Sequence, residues 1–239
     1  MKNSISVVLP AYNEEENIAA VINCIYEFLQ ENFSDFEIIV VDDGSYDNTY
    51  QECLKVKEGL GQRIKLLKHD KNRGYGVALR TGLFSADKDL IFYTDADNQF
   101  DITEINKFTS FIPEYDLVIG FREDRQDKLI RKLVSFVYNK LILFIFGLKA
   151  KDIDCSFKLF KRESLHKLSI ERDQFFVDTE VLIKAYLNNF KIKELPVKHL
   201  PRKLGKSTVK FTHIFTTLGD IFSLHNSLKG ARHGSIKKA

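Results

Sequence analysis

The sequence predicts an α/β protein with a mainly parallel β-sheet, because two kinds of pattern alternate along its first 120 residues. Short apolar runs rich in β-branched residues read as buried strands, and between them apolar residues recur at helical spacing. Alternation of this kind is typical of a sheet with helices packed on its faces. The predicted strands are 5–9, 38–41, 64–67, 90–93 and 117–120.

The helical patterns between these strands differ in strength. The first is the clearest, and we expect Asn13 to cap it, with three Glu residues in its first turn. Its apolar positions are Ile18, Val21, Ile22, Ile25, Phe28 and Leu29. Weaker patterns cover 47–58, 76–86 and 103–111.

Composition excludes two classes of protein. The 239 residues are 44% hydrophobic with 20 Phe, against only 12 Gly and 4 Pro, so the chain can bury a core and is not disordered. The net charge of +3 is too small for a dedicated nucleic-acid binder. That total conceals a basic end, since residues 198–239 carry +8 and the remainder −5. Such a segment is either a solubilising terminus or a surface that meets anions.

Cysteine usage and the N-terminus indicate a reduced, cytoplasmic protein. The three Cys are far apart and lack metal-ligand spacing, which favours neither disulfides nor zinc. The first residues do not resemble a signal peptide, and no apolar stretch reaches 18 residues, so we expect no membrane span.

Acidic residues follow three of the predicted strands directly. Because ligands bind at the carboxyl ends of parallel strands, acid-bearing loops that converge there indicate a cation or hydrogen-bond donors at that edge. The three loops are 10–14, 42–45 and 95–99.

The segment DADNQFD at 95–101 lacks the residues of an EF-hand calcium loop, but it suits another divalent metal. Its sixth position is Phe100 where an EF-hand needs Gly, and its twelfth is Asn106 where Glu is needed. Alternate carboxylates with a nearby amide suit Mg²⁺ or Mn²⁺, which keep open positions for substrate phosphates. The residues alone therefore predict metal-dependent transfer from a nucleotide diphosphate, without naming the group transferred.

Eight segments in register resemble the family 2 glycosyltransferases, and within them the polyprenyl-phosphate branch that is similar to dolichol-phosphate mannosyltransferase. They are VVLPAYNEEENI (7–18), VVDDGSYDNT (40–49), NRGYGVALRTG (72–82), YTDADNQFD (93–101), GFREDR (120–125), DIDCSFKLFKR (152–162), FFVDTEVLIKA (175–185) and PRKLGKS (201–207). The resemblance implies a GT-A (Rossmann-like) domain over 1–210 and an amphipathic, basic extension with a helix over 211–239. One departure is Ser156, where this branch usually has Gly; if the position needs φ > 0, Ser alters the pocket.

The resemblance also implies roles for single residues. Asp95, Asp97 and Gln99 would hold the Mg²⁺ or Mn²⁺. The donor pocket would comprise Pro10, Ala11, Tyr12, Glu14, Asp42, Asp43, Asp95 and Ala96. The residues gathered around the acceptor phosphate and the diphosphate would be Arg122, Arg131, Ser135 and Arg202.

The implied reaction is a single inverting displacement at the anomeric carbon of a hexose from a UDP-glucose or GDP-mannose type donor. Asp97, Asp178 and Glu180 are the candidate catalytic residues. A hydroxyl acceptor would need Asp178 or Glu180 as a general base, whereas a phosphate, with a second pKa of about 6, would not. Asp178 has an alternative role as the cap of a helix over 179–187.

Two apolar segments with Lys and Arg beside them, 127–147 and 211–222, have the character of helices on an anionic membrane surface. Packing onto the sheet is the other reading of both. The resemblance favours peripheral membrane association and a polyprenyl-phosphate acceptor.

Two further hypotheses remain open at this stage. One is a family 2 enzyme that glycosylates a hydroxyl of a glycan or glycolipid. The other is a non-catalytic nucleotide-binding scaffold with this fold.

Overall fold

A computed structural model describes residues 4–123, 129–202, 204, 217 and 219–228, with backbone only for 129–133. Its strands are β1 (Ile5–Ala11), β2 (Phe36–Asp42), β3 (Ile64–Lys68), β4 (Leu90–Thr94), β5 (Leu117–Arg122), β6 (Phe157–Lys161) and β7 (Ile192–Val197). Its helices are α1 (Ile18–Asn32), α2 (Thr49–Leu60), α3 (Tyr75–Phe84), α4 (Ile105–Phe111), α5 (Leu129–Phe146), α6 (Arg162–Leu165) and α7 (Val177–Leu187). Short 3-10 turns cover Gly61–Arg63 and Ile102–Glu104.

The strands form one seven-stranded sheet in the order β3-β2-β1-β4-β6-β5-β7. The pairs β1–β2, β1–β4, β2–β3 and β5–β7 are parallel, and β6 is antiparallel to both β4 and β5. The mixed, mainly parallel α/β architecture predicted from the sequence is therefore confirmed. Because β6 runs the opposite way, the residues just before it lie at the edge where its neighbours end.

Hydrophobic cores cover both faces of the sheet, since side chains alternate along each strand. Val7 and Leu9 of β1 face a core that includes the apolar side of α1, and Val8 faces a second core built with α3, α5 and α7. At Gly82 of α3 an added Cβ would lie 2.3 Å from Val8 Cγ1. The absence of a side chain there allows α3 to pack closely on β1.

Two predicted helix caps are wrong. Helix α1 begins at Ile18, and Asn13 lies outside it with φ 55, its Oδ1 accepting a hydrogen bond from the backbone N–H of Tyr46. The three Glu residues consequently precede the helix, whose first turn has no acid. Helix α7 begins at Val177, so Asp178 lies inside its first turn rather than at its cap.

Helix α5 uses two faces. Ile142 is fully buried, and Leu141, Ile145 and Phe146 pack against the second core. On the other face Phe136 and Val137 are each 58% exposed and Phe144 is 88% exposed. Packing onto the sheet, one of the two sequence interpretations, is thus confirmed for one side of α5, and the other side is exposed.

The predicted C-terminal helix lies partly outside the described residues. Residues 219–228 are helical, with Ile221 and Leu224 buried and Phe222 62% exposed, whereas 211–216 and Leu218 are not described. Among the helices described, none is long and apolar enough to cross a membrane.

Candidate functional site

The three acid-bearing loops meet at the carboxyl edge of β1, β2 and β4. The backbone N–H of Asp43 donates to the carbonyl of Ala11 at 2.9 Å, and that of Asn13 donates to Ser45 Oγ at 2.9 Å. Glu14 is tied to the start of α2 through a 2.8 Å bond from its N–H to Thr49 Oγ1. The parallel register of β1 with β2, in which Ala11 is opposite Asp42, brings these loops together.

Asp42 is a fully buried carboxylate with one oxygen unsatisfied. Its Oδ1 accepts the N–H of Ser45 at 3.1 Å, whereas its Oδ2 has no hydrogen-bond partner among the described residues. Leaving a buried carboxylate oxygen without a donor is costly, so this atom is suited to accept a donor from a ligand. Pro10 and Ala11 lie beside it on β1, and Tyr12 follows, with its ring edge-to-face to the exposed Tyr46.

Asp43 has a different environment, because its carboxylate is already saturated. Oδ1 contacts His69 Nδ1 at 2.7 Å and accepts the N–H of Arg73 at 3.0 Å, while Oδ2 accepts the N–H of Gly74 at 2.8 Å. Gly74 has φ 102, a conformation that favours glycine. Asp43 therefore anchors the loop that leads into α3.

Asp95 is held by two hydroxyl donors. Tyr75 donates to Oδ1 at 3.2 Å, and Ser156 donates to Oδ2. Burial raises the pKa of Asp95 to about 7, and the neighbouring charge of Asp97 adds to the effect. Ser156 is not among the described residues with positive φ, so serine fits the backbone at this position. Ala96, the next residue of the loop, is buried.

Arg202 bridges two of the acids that the sequence assigned to the site. Its Nη2 lies 3.1 Å from Glu14 Oε1 and 2.9 Å from Asp97 Oδ2. Asn17 completes the Glu14 environment by donating to Oε2 at 2.7 Å. Burial raises the pKa of Glu14 above its ordinary value despite these donors.

Residues 199–202 lie across the loop after β4. The Gln99 side-chain amide donates to the Leu200 carbonyl at 2.9 Å, and the Leu200 N–H donates back to the Gln99 carbonyl at 2.8 Å. Phe100 forms an antiparallel bridge with His199. These bonds place Arg202 beside Asp97, although 105 residues separate the two in sequence.

Of the other residues predicted for the phosphate site, the structure describes the side chains of Arg122 and Ser135. Arg122, at the end of β5, binds Asp152 with two bonds, Nε to Oδ2 at 2.6 Å and Nη2 to Oδ1 at 2.8 Å. This pairing raises the pKa of the Arg122 guanidinium above its ordinary value. Ser135 is buried on α5, and the side chain of Arg131 lies outside the described residues.

Asp178 and Glu180, the two candidate bases, are both buried and paired. Asp178 Oδ1 contacts Lys158 Nζ at 2.5 Å and accepts the Tyr93 hydroxyl at 2.6 Å. Glu180 Oε1 lies 2.8 Å from Lys184 Nζ, and its Oε2 accepts the backbone N–H groups of Glu171 and Arg172 at 3.0 and 2.8 Å. Sequence reasoning missed Lys158, which is fully buried on β6, and His69, because neither belongs to a recognisable spacing.

The oxygen donors suit a hard divalent cation that also binds substrate. In the described parts of the chain no group of three or more His, Cys, Asp and Glu side chains is placed to hold a metal by itself. Asp97 Oδ2 already faces a cation, the guanidinium of Arg202, and Asp95 lies two residues away. A pair of carboxylates with few other protein ligands fits Mg²⁺ or Mn²⁺, which retain water and substrate phosphates in their shell.

Comparison with known proteins places the chain in a family. The model of glycosyl transferase family 2 matches residues 6–169. The dolichyl-phosphate beta-glucosyltransferase of Saccharomyces cerevisiae is 31% identical over 220 residues, which are 81% of this chain and 66% of the yeast protein. The chain thus spans just under two thirds of that relative.

Solved structures agree on the fold. Glucosyl-3-phosphoglycerate synthase from Mycobacterium tuberculosis in complex with uridine-diphosphate superposes with a TM-score of 0.70 at 20% identity, over 94% of this chain and 79% of that one. The same enzyme with Mn²⁺, uridine-diphosphate and phosphoglyceric acid gives 0.66 at 22% identity, over 84% and 72%. The chain belongs to glycosyl transferase family 2.

Proposed function

We propose that this protein transfers glucose from UDP-glucose to a polyprenyl phosphate, with inversion at the anomeric carbon. The observation that carries the proposal is the convergence of Glu14, Asp97 and Arg202 at the sheet edge, with Asp95 two residues from Asp97. This arrangement places both signs of charge where a nucleoside diphosphate and a cation would bind together. The name of the yeast relative, a dolichyl-phosphate beta-glucosyltransferase, supports the choice of glucose and of a lipid phosphate.

The nucleoside would bind beside β1 and β2. The unsatisfied Oδ2 of Asp42 would accept an N–H of the base, with Pro10, Ala11 and Tyr12 forming the adjacent wall. Asp43 would act on the pocket indirectly, because its three hydrogen bonds hold the 73–74 loop. Asp95 and Ala96 would lie against the ribose and diphosphate.

Asp97 and Gln99, with Asp95 nearby, would hold the Mg²⁺ or Mn²⁺. When bound, such an ion would neutralise the charge of the leaving diphosphate. Arg202 would contribute a second positive charge beside Asp97, and Glu14 would keep it oriented.

The surroundings of α7 favour a phosphate acceptor over a hydroxyl. A general base needs a free carboxylate within reach of the acceptor, but Asp178 is bonded to Lys158 and Tyr93, and Glu180 to Lys184 and two backbone N–H groups. A phosphate is already largely dianionic at neutral pH and attacks without a base. Arg122, Arg131 and Ser135 are the residues we assign to the acceptor side.

A protein that uses a lipid acceptor needs a surface that contacts the membrane. The outer face of α5 presents Phe136, Val137 and Phe144, with Lys140 Nζ 5.5 Å from the centre of the Phe136 ring. Exposed apolar side chains beside a lysine are suited to the boundary of an anionic bilayer. We propose that this face and the basic extension over 211–239 hold the protein at the membrane surface.

The direct test is incubation of the protein with Mn²⁺ or Mg²⁺, UDP-glucose or GDP-mannose, and a polyprenyl phosphate. We expect a glucosylated lipid phosphate from UDP-glucose. If UDP-glucose gives no sugar-lipid with either metal, the proposal is wrong, and product from GDP-mannose alone would identify a different donor.

Two conservative variants decide the class of acceptor. Asp178→Asn and Glu180→Gln retain hydrogen-bonding shape but cannot accept a proton as a base, so we expect both to retain appreciable turnover with a lipid phosphate. Abolished turnover in either, with the fold intact by circular dichroism and the UDP affinity unchanged, would favour a hydroxyl acceptor.

A further inference from the structure

The side chain that the proposed reaction leaves without a role is Lys158. It is 0% exposed on β6, and its Nζ lies 2.5 Å from Asp178 Oδ1, 2.6 Å from the Cys155 carbonyl and 3.3 Å from the Ile153 carbonyl. An ammonium group has three protons, and three acceptors surround this one. Burying a charged pair costs desolvation energy that its attraction often fails to recover, so the pair is weak evidence of a purely stabilising role.

The sheet register connects Lys158 with Asp95. Strands β4 and β6 pair antiparallel, with Tyr93 opposite Lys158 and Thr94 opposite Phe157. Continuing that register by one residue places Asp95 opposite Ser156, the two side chains that are hydrogen-bonded.

Two short paths therefore join the lysine to the Asp95 carboxylate. On β6, Lys158 fixes the Cys155 carbonyl, and the next residue, Ser156, donates its hydroxyl to Asp95 Oδ2. On β4, the hydroxyl of Tyr93 shares Asp178 Oδ1 with Lys158, and Tyr93 lies two residues before Asp95.

We propose that Lys158 is a positioning residue of the donor site, which with Asp178 as its counter-ion holds Ser156 and Tyr93 and thereby sets the Asp95 carboxylate against the nucleoside diphosphate. The proposal rests on the proposed function for the identity of the ligand, but the positions of the side chains do not depend on it. Asp178 serves the lysine as an acceptor, and Ser156 makes the final contact with Asp95.

The experiment compares Lys158→Met, the double variant Lys158→Met with Asp178→Leu, and Ser156→Ala. Lys161→Met is the matched control, because Lys161 lies on the same strand and its side chain donates to the Pro113 carbonyl at 3.2 Å. Lys158→Met alone leaves an unpaired buried carboxylate and is expected to lower the melting temperature. Replacing both members of the pair by apolar residues removes that penalty, so the double variant separates stability from positioning.

Two readouts are measured on the full chain. The first is the affinity for UDP in the presence of Mn²⁺, by calorimetry. The second is hydrogen exchange of the backbone N–H groups in residues 94–100, without any ligand. We expect the double variant to recover most of the lost melting temperature, yet to bind UDP at least 10-fold more weakly and to exchange faster over 94–100. Ser156→Ala should likewise bind UDP more weakly and exchange faster over 94–100. Lys161→Met should match the unmodified protein in both readouts.

Combining Ser156→Ala with the double variant sharpens the test. Because both changes act on the same carboxylate, their effects on UDP affinity should fall short of additive, with little further loss in the triple variant.

If the double variant recovers its melting temperature and shows the UDP affinity and exchange rates of the unmodified protein, the positioning role of Lys158 is overturned. If the unmodified protein binds neither UDP nor GDP, the proposed function fails instead. The exchange comparison over 94–100 then still decides the role of Lys158.

Discussion

The acids at the sheet edge and the acids of α7 are the same residue types with different partners. At the edge, Asp42 keeps a buried oxygen without a partner, and Asp97 binds a guanidinium on a chain segment 105 residues away. On α7, Asp178 and Glu180 each pair with a buried lysine, although Glu180 Oε1 makes no hydrogen bond. The α7 acids are therefore tied to cations of the core, whereas the acids at the edge lie beside a partly exposed arginine.

This difference separates two roles that sequence motifs combine. Asp97, Asp178 and Glu180 were all predicted to be catalytic, and each lies within a segment that resembles the family. Their partners distinguish them, because Asp178 and Glu180 pair with buried lysines, whereas Asp97 pairs with the partly exposed Arg202. Substitutions in the two groups should therefore fail in different assays.

The largest expected effect is on stability, from Asp178→Ala. Removing one member of a buried ion pair leaves Lys158 uncompensated and should lower the free energy of unfolding by about 3–5 kcal/mol. Urea denaturation measures the change. Asp173→Ala is the control, because that exposed acid pairs with Arg80 at the surface and should cost less than about 1 kcal/mol. Equal losses of unfolding free energy in the two variants would show that Asp178 stabilises the fold no more than a surface acid does.

Asp97→Asn should leave stability nearly unchanged and remove activity. Loss of the charge that we propose holds the metal, and that binds Arg202, should lower kcat/KM by roughly 10²–10³-fold. The measurement is the initial rate of sugar-lipid formation across Mn²⁺ concentrations. Activity within a few-fold of the unmodified enzyme would contradict the role assigned to Asp97.

Asp42→Asn tests the unsatisfied oxygen. A hydrogen bond from a base to a carboxylate contributes about 1.5–3 kcal/mol, so UDP affinity should fall roughly 10- to 100-fold. Calorimetry with UDP and with ribose 5-diphosphate separates loss of the base contact from loss of the phosphate contact. Equal weakening of the two ligands would place Asp42 away from the base.

The smallest expected effect is on membrane binding, from Phe144→Ala. Burial of a phenylalanine contributes about 1.5–3 kcal/mol, and one that is only partly inserted contributes less, so vesicle affinity should fall about 3- to 10-fold. Co-sedimentation with anionic vesicles measures it. Leu54→Ala on α2 is the control, since that residue is partly exposed on another helix and should not change binding. Loss of vesicle binding in both variants would remove α5 from the proposed surface.

Most of the fold could be predicted because short stretches of sequence show the apolar patterns of buried strands and helices. The five predicted strands are all present, and each is one to three residues longer in the structure than predicted. β6 and β7 were not predicted, since FKLFK and IKELPV mix lysines and a glutamate into their apolar positions. In β6 the lysine at 158 points into the protein, where Asp178 compensates it.

The caps show why local signals fail. Asn13 is a good capping residue by type, yet its backbone is in the left-handed region and its side chain bonds Tyr46 on another loop. Competition from a residue 33 positions away cannot be seen in the local sequence.

The sequence by itself determined five of the seven strands, which loops carry acids and which family the chain resembles, because short stretches of sequence carry these properties. Only the tertiary structure decided which cation each acid pairs with. Arg202 reaches Glu14 across 188 residues and Tyr93 reaches Asp178 across 85, and such pairings arise from strand order. The antiparallel insertion of β6 beside β4 brings Lys158 and Ser156 close to Asp95, and no periodicity along the chain encodes that step.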